Sequence, residues 1–178
     1  MSSLRLKYID TEEVSAWRSR QGGLKIVATN GCFDLLHIGH VEMLESARTF
    51  GDLLIVGVNS DASVRALKGP SRPVQDQAER AAVIAALACV DAVTIFSGLT
   101  AVDFLKAAKP HIWVKGGDYS KENVNESERA AFDGSMIILP YREGRSTTAI
   151  LTALVSGNTD RGDESAANAL RRREGSDC

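Results

Sequence analysis

Histidine is scarce in this chain, three in 178 residues, and cysteine and proline are hardly commoner, at three and four. The cysteines, Cys32, Cys89 and Cys178, are odd in number and follow no framework spacing, which excludes a disulfide-stapled scaffold and favours free thiols in a reducing compartment. No apolar run approaches the roughly 20 residues that span a bilayer, and the polar start lacks the core of a signal peptide. The expectation is a cytoplasmic protein with no membrane partner. Neither sign of charge is in excess: a net charge of −2 and a pI near 5.9 give no general attraction to nucleic acid. Any phosphate site must therefore be a local arrangement of basic groups.

What is present is an alternation of short apolar runs and helical patterns. Leu24 to Thr29, Leu53 to Val58, Val90 to Phe96, His111 to Val114 and Met136 to Leu139 read as strands, with Leu53 to Val58 apolar throughout as a strand buried on both faces should be. Helical patterns fall between them: the segment from Thr11, the stripe Val41, Leu44, Ala47 and Phe50, a short helix after Asn59-Ser-Asp61, a helix from Asp76 with Ala82, Val83, Ala86 and Leu87 inward, Ala101 to Ala108, one through Ala130-Ala131-Phe132, and a last one capped by Ser146 or Thr147. Strands alternating with helices predict an α/β fold, a single Rossmann-like domain with a five-stranded parallel sheet and helices on both faces. In such sheets ligands sit at the carboxyl ends of the strands, where the loops from Asn30, Asn59, Lys115 and Tyr141 fall. The expected organisation is an N-terminal helical segment over 1–23, the domain over 24–156, and a disordered tail over 157–178, whose Arg171-Arg172-Arg173 reads as solvated charge.

Two of the three histidines lie in one stretch, Ile26-Val-Ala-Thr-Asn-Gly-Cys-Phe-Asp-Leu-Leu-His-Ile-Gly-His40. Asn30-Gly31 breaks the strand so that backbone can approach a ligand, and Gly39 bares the first turn of the following helix, whose N–H groups can face an anion. His37 and His40, three apart, share one face of that turn and suit a polyphosphate gaining charge during a displacement. A histidine pair can also ligate a metal, but only His111 remains as a further histidine and the cysteines show no ligand spacing, so no metal site is expected. Cys32 reads as a small buried residue of this loop; no base lies near it in sequence to make it a nucleophile.

The same stretch, from Thr29 to His40, resembles the His-x-Gly-His signature of the cytidylyltransferase-like nucleotidyltransferases, which transfer a nucleoside monophosphate from a nucleoside triphosphate to a phosphate-bearing acceptor. Val58-Asn-Ser-Asp61, Leu67-Lys-Gly-Pro-Ser-Arg-Pro-Val74, Val114-Lys-Gly-Gly-Asp-Tyr119 and Ser146-Thr-Thr148 are similar to phrases of its D-glycero-β-D-manno-heptose 1-phosphate adenylyltransferase group, and the resemblance covers roughly residues 24 to 155. Where related glycerol- and choline-phosphate cytidylyltransferases typically carry Arg, Trp and Arg-Tyr, this chain has Tyr141, Tyr119 and Ala88-Cys89, which argues against cytidylyl transfer to those small acceptors.

The resemblance implies catalytic roles for His37, His40 and Lys68, and a nucleotide site made from Asn30, Gly31, Cys32, Phe33, Gly39, Arg80, Asp118, Ser146 and Thr147. Asp34, Arg72 and Lys115 are expected on the substrate side, although Asp34 also reads as a cap, Arg72 as a solvated charge and Lys115 as a strand end. It further implies ATP and a sugar 1-phosphate as substrates, Mg²⁺ carried on the ATP phosphates, and a homodimer. With only about 23 residues ahead of the first strand, the sugar kinase that larger relatives fuse to this domain is expected on a separate chain. The rival readings are a cytidylyltransferase for a polyol or other sugar phosphate, and a nucleotide-binding regulatory module without turnover.

Overall fold

The computed structural model describes residues 7–116, 124–140 and 147–156. A 3-10 turn, Thr11–Glu13, leads into α1 (Val14–Arg20), and the chain then runs β1 (Ile26–Gly31), α2 (Ile38–Arg48), β2 (Leu53–Asn59), α3 (Asp61–Lys68), α4 (Gln77–Ala85), β3 (Ala92–Phe96), α5 (Val102–Ala108), β4 (Ile112–Gly116), α6 (Glu126–Arg129), β5 (Ser135–Leu139) and α7 (Thr147–Ser156). The chain divides into two compact units, Met1–Thr147 and Thr148–Cys178; the sheet belongs to the first, and most of α7, a largely apolar helix, to the second.

All five strands pair in parallel, in the order β3-β2-β1-β4-β5. The α/β expectation is met, with helices on both faces. Side chains alternate along each strand, and the alternation sorts two cores. Ile26, Ala28, Ile55 and Trp113 face one side, where Val14 of α1 and Phe104, Leu105 and Ala108 of α5 cover them. Val27, Leu54, Val56 and Val114 face the other, under Leu44 and Ala47 of α2 and Ala81, Ile84 and Ala85 of α4. Gly57 admits α5: a Cβ there would stand 3.0 Å from the Phe104 ring. Outside the sheet proper, Ile9 donates its N–H to the Val93 carbonyl at 2.9 Å and the Thr11 hydroxyl donates to Ile95 at 2.5 Å, so the segment before α1 lies along the free edge of β3.

Three local readings are corrected. The buried face of α4 carries Arg80, Ala81, Ile84 and Ala85, while Val83 is 38% exposed. The apolar pattern misplaced that face because Arg80 occupies a core position in full burial, where hydrophobicity alone would put an apolar residue. The sequence from Lys68 to Pro73 reads as a basic loop, but Lys68 closes α3; Gly69, at φ +96°, ends the helix behind it. The helix expected through Ala130-Ala131-Phe132 ends at Arg129, with Asn125 as its cap, and Phe132 packs edge-on against Trp113 from a turn.

Because β1 lies between β2 and β4, the crossover direction reverses there, and the carboxyl ends of β1 and β4 part to leave a crevice. Asn30, Asn59 and Lys115 are the last or next-to-last residues of their strands at that edge.

Candidate active site

A cleft of about 480 Å³ opens at this edge. Its walls are the end of β1, with Asn30 and Gly31, and the loop after it, with Cys32, Phe33 and Asp34; the start of α2, with His40 and Met43; the end of α3, with Leu67 and Lys68; and the β4 side, with Lys115, Gly116, Asn125 and Glu128. Thr147 completes it, its hydroxyl donating to the Leu35 carbonyl at 3.4 Å. His37 and Gly39 adjoin His40 at the start of α2 without lining the cleft, and Arg72 and Arg80 touch its lining residues Asp34 and Cys32 without lining it themselves. Asp118 and Ser146 lie outside the described residues, as do Tyr141 and the tail over 157–178.

His37 caps α2 from an extended conformation, so it precedes the helix instead of riding on its first turn, yet its ring stacks on His40 at a centroid distance of 3.8 Å. Phe33, held at φ +46°, sets its ring edge-on to His40 at 5.3 Å. A positive φ is unusual for an aromatic residue and costs roughly 1–2 kcal/mol, a local strain that the buried ring and its partners offset. The His37 backbone N–H points at Nδ1 of His40 at 3.4 Å, which leaves Nε2 of His40 to carry the proton and donate into the cleft. Nδ1 of His37 is one of two buried side-chain polar atoms without a partner among the described residues.

Electrostatics favour the neutral form of both rings. Burial, then the neighbouring His37 and Lys68, push His40 from 6.5 down to about 4, and burial also lowers His37. The site thus presents uncharged imidazole donors beside a helix N-terminus whose first N–H groups lack partners four residues back. Burial raises the Cys32 thiol, the wrong direction for a nucleophile at neutral pH.

Three residues expected to touch ligand, Arg80, Asp34 and Arg72, are engaged in the scaffold. Arg80 is 1% exposed and places all three guanidinium nitrogens: Nη1 on the Cys32 carbonyl at 2.5 Å, Nη2 on Asp61 at 2.8 Å, and Nε on the Gln75 carbonyl at 3.0 Å. Asp34, 3% exposed, accepts from Arg72 and from the Val74 N–H, both at 2.6 Å, so any substrate contact by Asp34 or Arg72 would share that pair. Among the described residues no three His, Cys, Asp or Glu side chains converge as metal ligands.

Glu128 was not legible as a site residue. Asn125 and Glu128 have the spacing of a cap and its third helical residue, so the glutamate reads as part of a capping box. Asn125 does cap α6, accepting from the N–H groups of Ser127 and Glu128, but the glutamate turns to the cleft instead, accepting from Ala101 N–H at 2.7 Å and facing Lys115 at 3.8 Å.

The family description "Cytidylyltransferase-like" matches residues 28–153. The chain is 45% identical over 160 residues to the bifunctional protein HldE of Trichlorobacter lovleyi, covering 89% of this chain and 32% of that protein. It is 50% identical over 141 residues to that of Koribacter versatilis, covering 79% and 29%. The chain thus spans about a third of the length of these relatives. Its fold is similar to that of a lipopolysaccharide core biosynthesis protein from Thermoplasma volcanium, with a TM-score of 0.60, 23% identity, and coverage of 68% of this chain and all of that one. No described helix is long and apolar enough to cross a membrane. The signature from Thr29 to His40, the cleft it lines and a family match running through the whole sheet lead to one assignment: the chain belongs to the cytidylyltransferase-like family of nucleotidyltransferases.

Proposed function

We propose that this protein transfers AMP from ATP to D-glycero-β-D-manno-heptose 1-phosphate, releasing pyrophosphate and forming ADP-heptose for lipopolysaccharide assembly. The observation that carries nucleotidyl transfer is the stacked pair of neutral imidazoles at the N-terminus of α2, of which His40 lines one cleft together with Lys68. The base and the acceptor rest on the Lys-Gly-Gly-Asp-Tyr and Ser-Thr-Thr phrases and on 45–50% identity to the HldE proteins.

A sugar phosphate oxygen attacks the α-phosphorus of ATP in line, forming a P–O bond as the bond to the β-phosphate oxygen breaks and pyrophosphate takes that electron pair. Such a displacement needs positioning and charge stabilisation more than covalent help. Asn30, Gly31 and Thr147 border the nucleotide, Nε2–H of His40 donates to a phosphate oxygen, and the Lys68 ammonium neutralises charge gathering on the leaving group. The described side chains do not form a metal cage, so Mg²⁺ would arrive on the ATP phosphates, where it neutralises their charge. The reading includes a sugar kinase activity that makes the acceptor, a homodimeric assembly and a cytoplasmic setting.

The test is pyrophosphate release by purified protein with Mg²⁺, offering ATP or CTP against heptose 1-phosphate or glycerol 3-phosphate, beside the His40→Ala variant. Release that requires ATP and heptose 1-phosphate, and is lost in the variant, is the expected result. A requirement for CTP overturns the adenylyl assignment, and nucleotide binding without any release overturns catalysis in favour of a regulatory module.

A further inference from the structure

Lys115 and Glu128 face each other at 3.8 Å with almost no access to solvent, 3% and 7% exposed. A buried lysine is costly, and an apolar side chain ending β4 would avoid that cost, so the pair needs a reason beyond stability. It does not sit in either core; both residues line the cleft. Each is also fixed in advance. Glu128 Oε1 accepts from Ala101 N–H at 2.7 Å, and the Lys115 ammonium lies 4.7 Å above the Trp113 ring, whose indole N–H is held by Asn30 at 3.0 Å. Burial lowers the Lys115 pKa while Glu128 opposes that shift, so the carboxylate helps keep the ammonium charged.

Strand alternation decides which side of the cleft this is. Lys115 lies two residues after Trp113 and Asn30 two after Ala28, so both stand near the ends of their strands on the face that packs against α5. The histidines stand over the opposite face, where α2 covers Val27, Leu54 and Val56. A displacement at phosphorus puts the entering and leaving oxygens on opposite sides. With the leaving pyrophosphate at α2, the entering oxygen arrives over the α5 face.

Resting on the nucleotidyl-transfer reading above, we propose that Lys115 anchors the phosphate of the acceptor and that Glu128 is its positioning residue, so that this half of the cleft selects a phosphorylated acceptor while α2 serves the nucleotide. Glu128 is the new element: its carboxylate is bonded to α5 and its charge holds the lysine where the acceptor enters.

The experiment is steady-state kinetics of the full chain with each substrate varied in turn, for wild type, Lys115→Met, Glu128→Gln and the double variant, which buries no unpaired charge. Lys115→Met is expected to raise the acceptor KM about tenfold or more with the nucleotide KM changed less than about twofold. Glu128→Gln keeps an oxygen for Ala101 N–H but loses the charge. Lys115, which Glu128 faces from α6 and Cys32 from the loop after β1, then loses its proton at lower pH, and the acceptor KM climbs with rising pH sooner than in wild type. The double variant, folded by circular dichroism, retains the raised acceptor KM. A matching rise in nucleotide KM, or acceptor KM values unmoved in both lysine variants, overturns the proposal, as does a Glu128→Gln effect independent of pH. Should wild type prefer another triphosphate or another phosphorylated acceptor, only the substrate assignment above fails, and the same comparison runs on that pair. Should it turn over nothing, calorimetry with inorganic phosphate and a non-hydrolysable ATP analogue reads the same division: weakened phosphate with unchanged analogue binding in Lys115→Met supports the anchor, and the reverse overturns it.

Discussion

Asp34 and Arg72, 38 positions apart in the chain, meet at 2.6 Å, and the second oxygen of the same buried carboxylate takes the Val74 N–H at 2.6 Å. The loop that follows Lys68 is thereby tied to the loop that precedes His37. One carboxylate sets the distance between the two basic elements of the cleft.

Cutting this tie should therefore cost both stability and rate. Asp34→Ala removes a carboxylate that is 2% exposed at its side chain and leaves Arg72, at 16%, partly desolvated. Urea unfolding should report a loss of about 2–4 kcal/mol. In the surviving folded protein kcat should fall more than the nucleotide affinity, because Lys68 is displaced and not removed. An unchanged unfolding midpoint would refute the tie.

His40→Ala should lower kcat by about 10²–10³, or roughly 3–4 kcal/mol of transition-state stabilisation. Its unfolding midpoint should move far less. A loss under about tenfold in pyrophosphate release would leave the histidine a packing role only.

Protonation should couple to nucleotide binding. With the folded His40 at about 4, the ring is neutral at pH 6, and an arriving polyphosphate, by its negative charge, raises that value. Binding near pH 5–6 should take up protons, while binding near pH 8 should take up none from this ring, as calorimetry in buffers of different ionisation enthalpy can measure. The same depression acts on stability. The unfolded chain, titrating near 6.5, binds more protons between 6.5 and 4, so stability is fully present above 6.5 and falls as pH drops through that window. A flat unfolding midpoint from pH 7 to 4.5 in wild type, unaltered in His40→Ala, would contradict this.

Gly116→Ala should disturb α2 from across the cleft. A Cβ at Gly116 would lie 2.7 Å from Cγ of Met43, which follows His40 by less than one helical turn. The overlap should cost about 1–3 kcal/mol and weaken nucleotide binding, and Met43→Ala should restore part of both in a double-mutant cycle. Additive effects would show that Met43 yields without moving the histidine turn.

The strands were legible in the sequence because each is largely a β-branched or apolar run, mostly buried in β1 to β4 and half-buried in β5, and burial of that kind leaves its mark residue by residue. The histidine pair was legible for a different reason: local spacing alone brings His37 and His40 together. What composition hid is the buried charge. Arg80 sits in the core face of α4 where periodicity looks for an apolar residue, and Glu128 carries the spacing of a helix cap while its carboxylate points elsewhere. Both depend on partners 19 to 48 positions away, Asp61, Cys32 and Ala101, and no local pattern encodes such a distance.

The bonds from Ile9 to Val93 and from Thr11 to Ile95 give the segment ahead of α1 a protective office. A parallel sheet ending in an open strand offers its row of carbonyl and amide groups to any passing chain, which is how ordered proteins begin to polymerise. Here the molecule caps its own β3 side with its first described residues. Removing residues 1–13 should leave the cleft side chains in place and yet produce a protein that thickens into aggregates on storage, detectable by light scattering and thioflavin fluorescence before any catalytic property changes.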